Sequence, residues 1–202
     1  MMSDLAQQWQ RTFLDHLRQD AHADLLRDAA LRGQLGDWTK ALTAVVAETC
    51  TTMGWTAAAL EHQSDLLPVP RSEYLALDVM AFERETPHRW RFPVAVMELE
   101  NRPEADIIAY SLWKLLCVRA ELRVLFCYRR QPEEGRHLVR ALADAVIDAM
   151  SIEQRLSLDG ETLVVVGSRG EAATFPYGFF RWWRLDKNTG RFVALTFDKK
   201  RD

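Results

Sequence analysis

The chain has 202 residues, of which 48% are hydrophobic and 27% charged, with a formal net charge of −3. Those proportions describe a globular protein with one substantial core. They argue against a globally basic nucleic-acid binder, and no apolar run reaches the roughly 18 residues of a membrane span.

The three cysteines, Cys50, Cys117 and Cys127, lack paired spacing, which argues against a disulfide framework, a zinc site or a cysteine-ligated iron–sulfur cluster. Residues 1–20 mix charged and apolar side chains with no signal-peptide pattern, so the expected location is cytoplasmic. Leu5, Trp9, Phe13 and Leu17 recur every four residues and Leu25 and Leu26 resume the pattern, which predicts helix over 3–31. Gly33 and Gly36 break it. Asp37 is a candidate N-cap for a helix over 38–53 whose apolar side carries Leu42, Val45 and Val46, and Gly54 closes it.

The period then changes. A short strand is expected over 55–60 and a loop over 65–72, where Pro68 and Pro70 fall. Residues 74–82 and 92–100 read as nearly continuous apolar strands, separated by a polar turn containing Pro87. A turn at 101–103 leads into a helix over 104–120, then a third apolar strand over 122–128. A helix over 136–150, a short strand over 163–166 and a hairpin of 177–185 with 191–197 complete the chain. Strands without polar alternation indicate a sheet buried on both faces. The helix between two of them indicates a crossover connection. The expected class is α/β with a mixed central sheet flanked by helices, residues 1–36 forming a helical extension and 37–202 the main domain.

Three acids stand out. Glu98 and Glu100 end one apolar strand and share a face about 7 Å apart. Asp78 lies inside the preceding apolar run, where a lone carboxylate is costly unless paired or bound to a cation. If the strands are neighbours the three converge, repel one another and favour protonation. A hard cation with oxygen ligands, Mg²⁺ or Mn²⁺, relieves that conflict. On the residues alone, Asp78 has the alternative of pairing with Arg71 or Arg123, and the two glutamates that of simple solvation at a strand end.

An Asp in one strand, a Glu-x-Glu ending a second about twenty residues later, then a helix and a strand resembles the core of the PD-(D/E)XK, or restriction-endonuclease-like, nucleases. The resemblance covers roughly residues 38–128. It implies an α-β-β-β-α-β core, metal ligation by Asp78 and Glu98, and metal-assisted hydrolysis of a phosphodiester, with DNA as the expected substrate. Glu100 stands where the family carries its lysine. The resemblance allows that lysine to move to the following helix, where Lys114 is the candidate, and leaves Glu100 as a metal ligand or proton acceptor. Asp106, Tyr110 and Lys114 are spaced by four on that helix, with a drift of about 40° per step. Asp106 and Tyr110 loosely match a polar residue and a tyrosine that often face the site. Glu48, on the helix before the sheet, is the candidate for a further acid. Lys114 as a snorkelling surface lysine and Glu48 as an ordinary exposed helix residue are the alternatives. Members of the superfamily often act as homodimers, a state the residues leave open. The departure at Glu100 also admits a catalytically degenerate protein that only binds nucleic acid or protein.

The last third interleaves Phe179, Phe180, Trp182 and Trp183 with Arg181, Arg184, Lys187 and Arg191, followed by Lys199, Lys200 and Arg201. Such a mixture suits stacking on bases and contact with phosphates; the alternative is aromatics turned into the core with arginines in water. Arg129 and Arg130, just after a central strand, are further candidates for a nucleic-acid backbone.

Overall fold

The computed structural model describes residues 4–62, 65–85 and 88–195. It is a mixed α/β protein built on one seven-stranded sheet. The element order is α1 (Leu5–Leu17), α2 (Asp20–Arg32), α3 (Leu35–Thr52), β1 (Trp55–Ala59), β2 (Val79–Glu83), β3 (Ala95–Leu99), α4 (Ala105–Leu116), β4 (Leu122–Arg129), α5 (Glu134–Leu142), α6 (Ile152–Leu156), β5 (Glu161–Ser168), β6 (Phe180–Asp186) and β7 (Arg191–Ala194). A π-helical turn, Ala143–Ile147, prolongs α5. The strands lie in chain order; β3, β4 and β5 run parallel and all other neighbours antiparallel. No described helix is long and apolar enough to cross a membrane.

Both faces of the sheet are covered, as the unbroken apolar strands require. In β4, Leu122, Val124, Phe126 and Tyr128 face one core, which also contains Trp9, Phe13, Leu17, Leu26, Trp38 and Val45. Leu125 and Cys127 face the other, which contains Ile108, Leu112, Leu115, Leu138 and Val139. The two-residue period therefore sorts α1–α3 to one side and the α4 and α5 crossovers to the other. Gly160 fits β5 against β4: it has φ +67°, and a Cβ there would overlap the carbonyl of Glu121, which accepts from Glu161 N–H at 2.8 Å.

Several boundaries differ from the sequence expectation. The first helical stretch is two helices, because Gln19 is extended (φ −65°, ψ 132°) between them. Both pack into the core of the sheet, so the expected helical extension is part of the sheet's cover. Gly33, left-handed at φ 66°, caps α2 and returns the chain early; α3 then starts at Leu35, and Asp37 sits in its first turn instead of capping it. The strand expected over 74–82 begins only at Val79. Leu75 and Ala76 have φ of 56° and 53°, a left-handed turn that ends any pleat and leaves Leu75 73% exposed. The helix Ile152–Leu156, held by a Ser151–Gln154 capping box, had no counterpart in the periodic reading. Residues 196–197 of the expected last strand, Pro87, and the basic Lys199, Lys200 and Arg201 lie outside the described residues.

Candidate acidic site at the end of the central strands

Strand β2 is antiparallel to β3, with Val79 opposite Met97 and Met80 opposite Val96. Continuing that register by one residue sets Asp78 opposite Glu98, where cross-strand side chains are neighbours. Asp78 is anchored there: Leu99 N–H donates to its Oδ2 at 2.7 Å. The Arg71 and Arg123 alternatives are not realised. Arg123 is buried and donates to the carbonyls of Leu115, Val118 and Asp159 at 2.6–3.1 Å, tying down the C-terminal end of α4.

Glu98 is only 4% exposed and lies under α4. Lys114 Nζ donates to Glu98 Oε1 at 2.8 Å and to the carbonyl of Ala76 at 2.9 Å. The left-handed turn at Leu75–Ala76 thus presents the oxygen that holds the lysine over the carboxylate. Backbone in this region costs about 1 kcal/mol or more for a non-glycine residue, and such strain concentrates at functional sites. Glu100, just past β3, keeps to the same face. Its Oε1 accepts from Arg102 N–H at 2.8 Å, and Ser111 Oγ donates to its Oε2 at 3.4 Å. The site is therefore built from Asp78, Glu98 and Glu100 on the strand ends and from Ser111 and Lys114, one turn apart on α4. Sequence reasoning missed Ser111; its signal was a serine within the apolar face of Ile108, Leu112 and Leu115.

Burial dominates the electrostatics. It pushes the Glu98 carboxyl up from its ordinary 4.5 to about 7, Lys114 opposing the rise and the charge of Asp78 adding to it. The folded carboxyl titrates above its unfolded value, so the stability it contributes is full below about pH 4.5 and is lost as pH rises through about 7. In EDTA, the stability of the wild type relative to Glu98→Gln is expected to fall by roughly 2–3 kcal/mol between about pH 5 and 8. Chemical denaturation across that range reads the difference directly, and parallel pH profiles would mean that Glu98 ionises as an exposed glutamate does.

Other candidates lie elsewhere. Glu48 is on α3, across the sheet, where its Oε2 meets His22 Nε2 at 2.8 Å and His16 Nδ1 at 3.5 Å; it is not brought to the acidic site. Asp106 is exposed in the first turn of α4, and the successive four-residue steps carry it around the helix from Lys114. Tyr110 is also exposed, its ring 5.6 Å from Lys114 Nζ and stacked on Trp113 at 5.9 Å. Arg129, Arg130 and Arg181 sit at the end of the sheet that carries the acids, because β4 finishes and β6 starts there. Arg184, Lys187 and Arg191 sit at the opposite end and already have partners. Arg184 binds Asp4 and Glu161 at 2.7 and 3.2 Å, Lys187 the carbonyl of Leu158 at 2.7 Å, and Arg191 both oxygens of Asp148 at 2.8 and 3.1 Å. Trp182 and Trp183 are buried on opposite faces of the sheet, which realises the core alternative for the hairpin aromatics.

The donor chemistry suits a hard divalent cation. Asp78 and Glu98 are carboxylates at the ends of adjacent strands, close enough for the charge of one to act on the other, and Mg²⁺ is commonly held by one or two carboxylates plus substrate phosphate and water. Among the described residues, no three His, Cys, Asp or Glu side chains group as a complete metal site; Glu100 is turned toward the Arg102 N–H instead. Comparison of the chain with protein-family models, with curated proteins and with solved structures finds no match in any of the three.

Proposed function

We propose that the protein is a metal-dependent nuclease hydrolysing phosphodiester bonds of nucleic acid, DNA first, on a restriction-endonuclease-like core made of α3, β1, β2, β3, α4 and β4. The observation that carries the reading is Lys114 Nζ at 2.8 Å from Glu98: the cationic group that position 100 does not supply comes from the next helix to the same carboxylate. In this reading Asp78 and Glu98 hold Mg²⁺ or Mn²⁺. The bound ion supplies positive charge to the phosphoryl oxygens and lowers the pKa of the attacking water. The Leu99 N–H fixes the orientation of Asp78. Lys114, positioned by the Ala76 carbonyl, stabilises negative charge developing on the phosphate. Glu100 Oε2, beside Ser111, accepts a proton from the water.

Cleavage of plasmid, linear and single-stranded DNA with Mg²⁺ or Mn²⁺ tests this against Asp78→Ala and Glu98→Ala proteins purified identically. Each substitution is expected to lower the rate by about 10²–10³-fold or more, because the cation that would stabilise transition-state charge is no longer held. The second reading, a catalytically degenerate protein that retains the fold as a binding module, is favoured by the lack of a complete three-ligand group among the described residues. Wild-type protein that neither cleaves nor binds Mn²⁺ decides for it.

A further inference from the structure

The end of the sheet that carries the acids also carries guanidinium groups with no acid of their own among the described residues. Arg169 follows β5 directly. Its guanidinium lies 4.8 Å from the centre of the Tyr128 ring, and its Nη2 donates to Asn101 Oδ1 at 3.2 Å. Asn101 is held in turn, its Nδ2 donating to Thr39 Oγ1 at 2.7 Å. The ring is also fixed, since Tyr128 OH accepts from Trp38 Nε1 at 2.7 Å. Arg169 is thus half-buried and locked between neutral partners. An unpaired cation in such a place loses hydration without gaining an opposite charge.

Arg129 and Arg130 adjoin it. Gly170 N–H donates to the Arg130 carbonyl at 2.8 Å, joining the loop after β4 to the loop after β5. Among the described residues Arg129 Nη1 donates only to the Tyr128 carbonyl, and none of these three arginines has a carboxylate within ion-pair distance. Arg129 lies on the Glu98 face of the sheet, where it and Glu100 both act on the Cys127 thiol. Arg169 lies on the opposite face, over Tyr128. The three straddle the sheet's end next to the acids, in a protein whose net charge is −3. At the other end, Arg184 and Arg191 are neutralised by Asp4, Glu161 and Asp148.

We infer that Arg169, with Arg129 and Arg130, is a phosphate-binding cluster that takes the backbone of a nucleic acid crossing the end of the sheet beside the acidic site. The inference rests on the nuclease reading for its substrate, but it concerns binding and stands or falls separately from cleavage. Guanidinium forks match phosphate oxygens, and a fork already held by Asn101 and Tyr128 loses little freedom on binding.

The test is fluorescence anisotropy of labelled single- and double-stranded 20-mers in EDTA, titrated over a salt series. The proteins are wild type, Arg169→Gln, Arg169→Lys, Arg129→Gln with Arg130→Gln, and Arg119→Gln as an equal loss of charge at the far end of the sheet. Arg169→Gln is expected to weaken binding roughly tenfold at low salt and to reduce the salt slope by about 1. The double variant reduces the slope further, Arg169→Lys keeps the slope, and Arg119→Gln matches wild type. A lowered melting midpoint in Arg169→Gln with an unchanged salt slope would make Arg169 a packing residue only and overturn the inference. Wild type that cleaves nucleic acid or binds Mn²⁺ but shows no arginine-dependent binding overturns it as well, leaving the catalytic reading intact. Arginine-dependent binding with neither cleavage nor Mn²⁺ binding upholds it and removes that reading.

Discussion

Replacing Lys114 by methionine is expected to lower metal-dependent cleavage by about 10²–10³-fold, the usual cost of removing one donor to developing negative charge. Methionine keeps the stem and its packing beside Tyr110 but takes the ammonium from between Ala76 O and Glu98. Its loss also removes the hydrogen bond and the positive charge by which Lys114 lowers the Glu98 carboxyl, so that group rises further above its ordinary value. The variant should therefore be nearly as stable as wild type at pH 5, where Glu98 is neutral in both, and measurably less stable at pH 8. Arginine should not restore the rate, because a planar fork cannot occupy the compact two-acceptor niche of an ammonium. Single-turnover cleavage with saturating metal separates this effect from weaker substrate binding. A rate within threefold of wild type would leave Lys114 a counter-ion for Glu98 and nothing more.

Trp9→Ala is the substitution expected to cost most stability, about 3–5 kcal/mol as for other large aromatic truncations in a core. Trp9 is 0% exposed. It stacks on Phe13 at 5.3 Å and meets Phe126 of β4 and Trp182 of β6, each at 6.1 Å. No small side chain fills that space without moving α1, whose start is also tied to β5 by the bond from Ala6 N–H to Glu161 at 2.8 Å. Against total stabilities of about 5–15 kcal/mol for ordinary domains, the loss is a large fraction, readable by urea denaturation. A cost under about 1 kcal/mol would show α1 to be an accessory arm, as its place in the sequence alone suggests, that the sheet can shed.

Much of this protein is legible in its sequence. The unbroken apolar runs around Met80, Val96 and Val124 indicated strands buried on both faces, and the helix between the last two indicated a parallel crossover; both follow from local patterning, which the chain carries in every short window. The order of helix, three strands, helix and strand followed, and so did the interest in Asp78 and Glu98 as acids where acids are costly. Local patterning could not show that Leu75 and Ala76 turn left-handed, since nothing in their side chains demands it; the Ala76 carbonyl that the turn presents is bonded by Lys114 from α4. The apolar face of α4 was legible in Ile108, Leu112 and Leu115, and Ser111 within it was the signal overlooked. Spacing by four singled out Asp106, Tyr110 and Lys114, whereas packing selected Ser111 and Lys114, because the apolar residues of α4 decide which side of the helix is pressed to the sheet. The choice of ion partners was the least legible. Arg184 meets Asp4 across 180 positions, Glu48 meets His22 across 26, and Lys114 meets Glu98 across 16. A charge's partner depends on distances of a few ångströms between segments that only the closed sheet brings together. The sequence by itself determined the strands, the crossover and the presence of acids among apolar strands; the tertiary structure alone decided which cations neutralise which acids, and among the described residues it left Arg129, Arg130 and Arg169 without one.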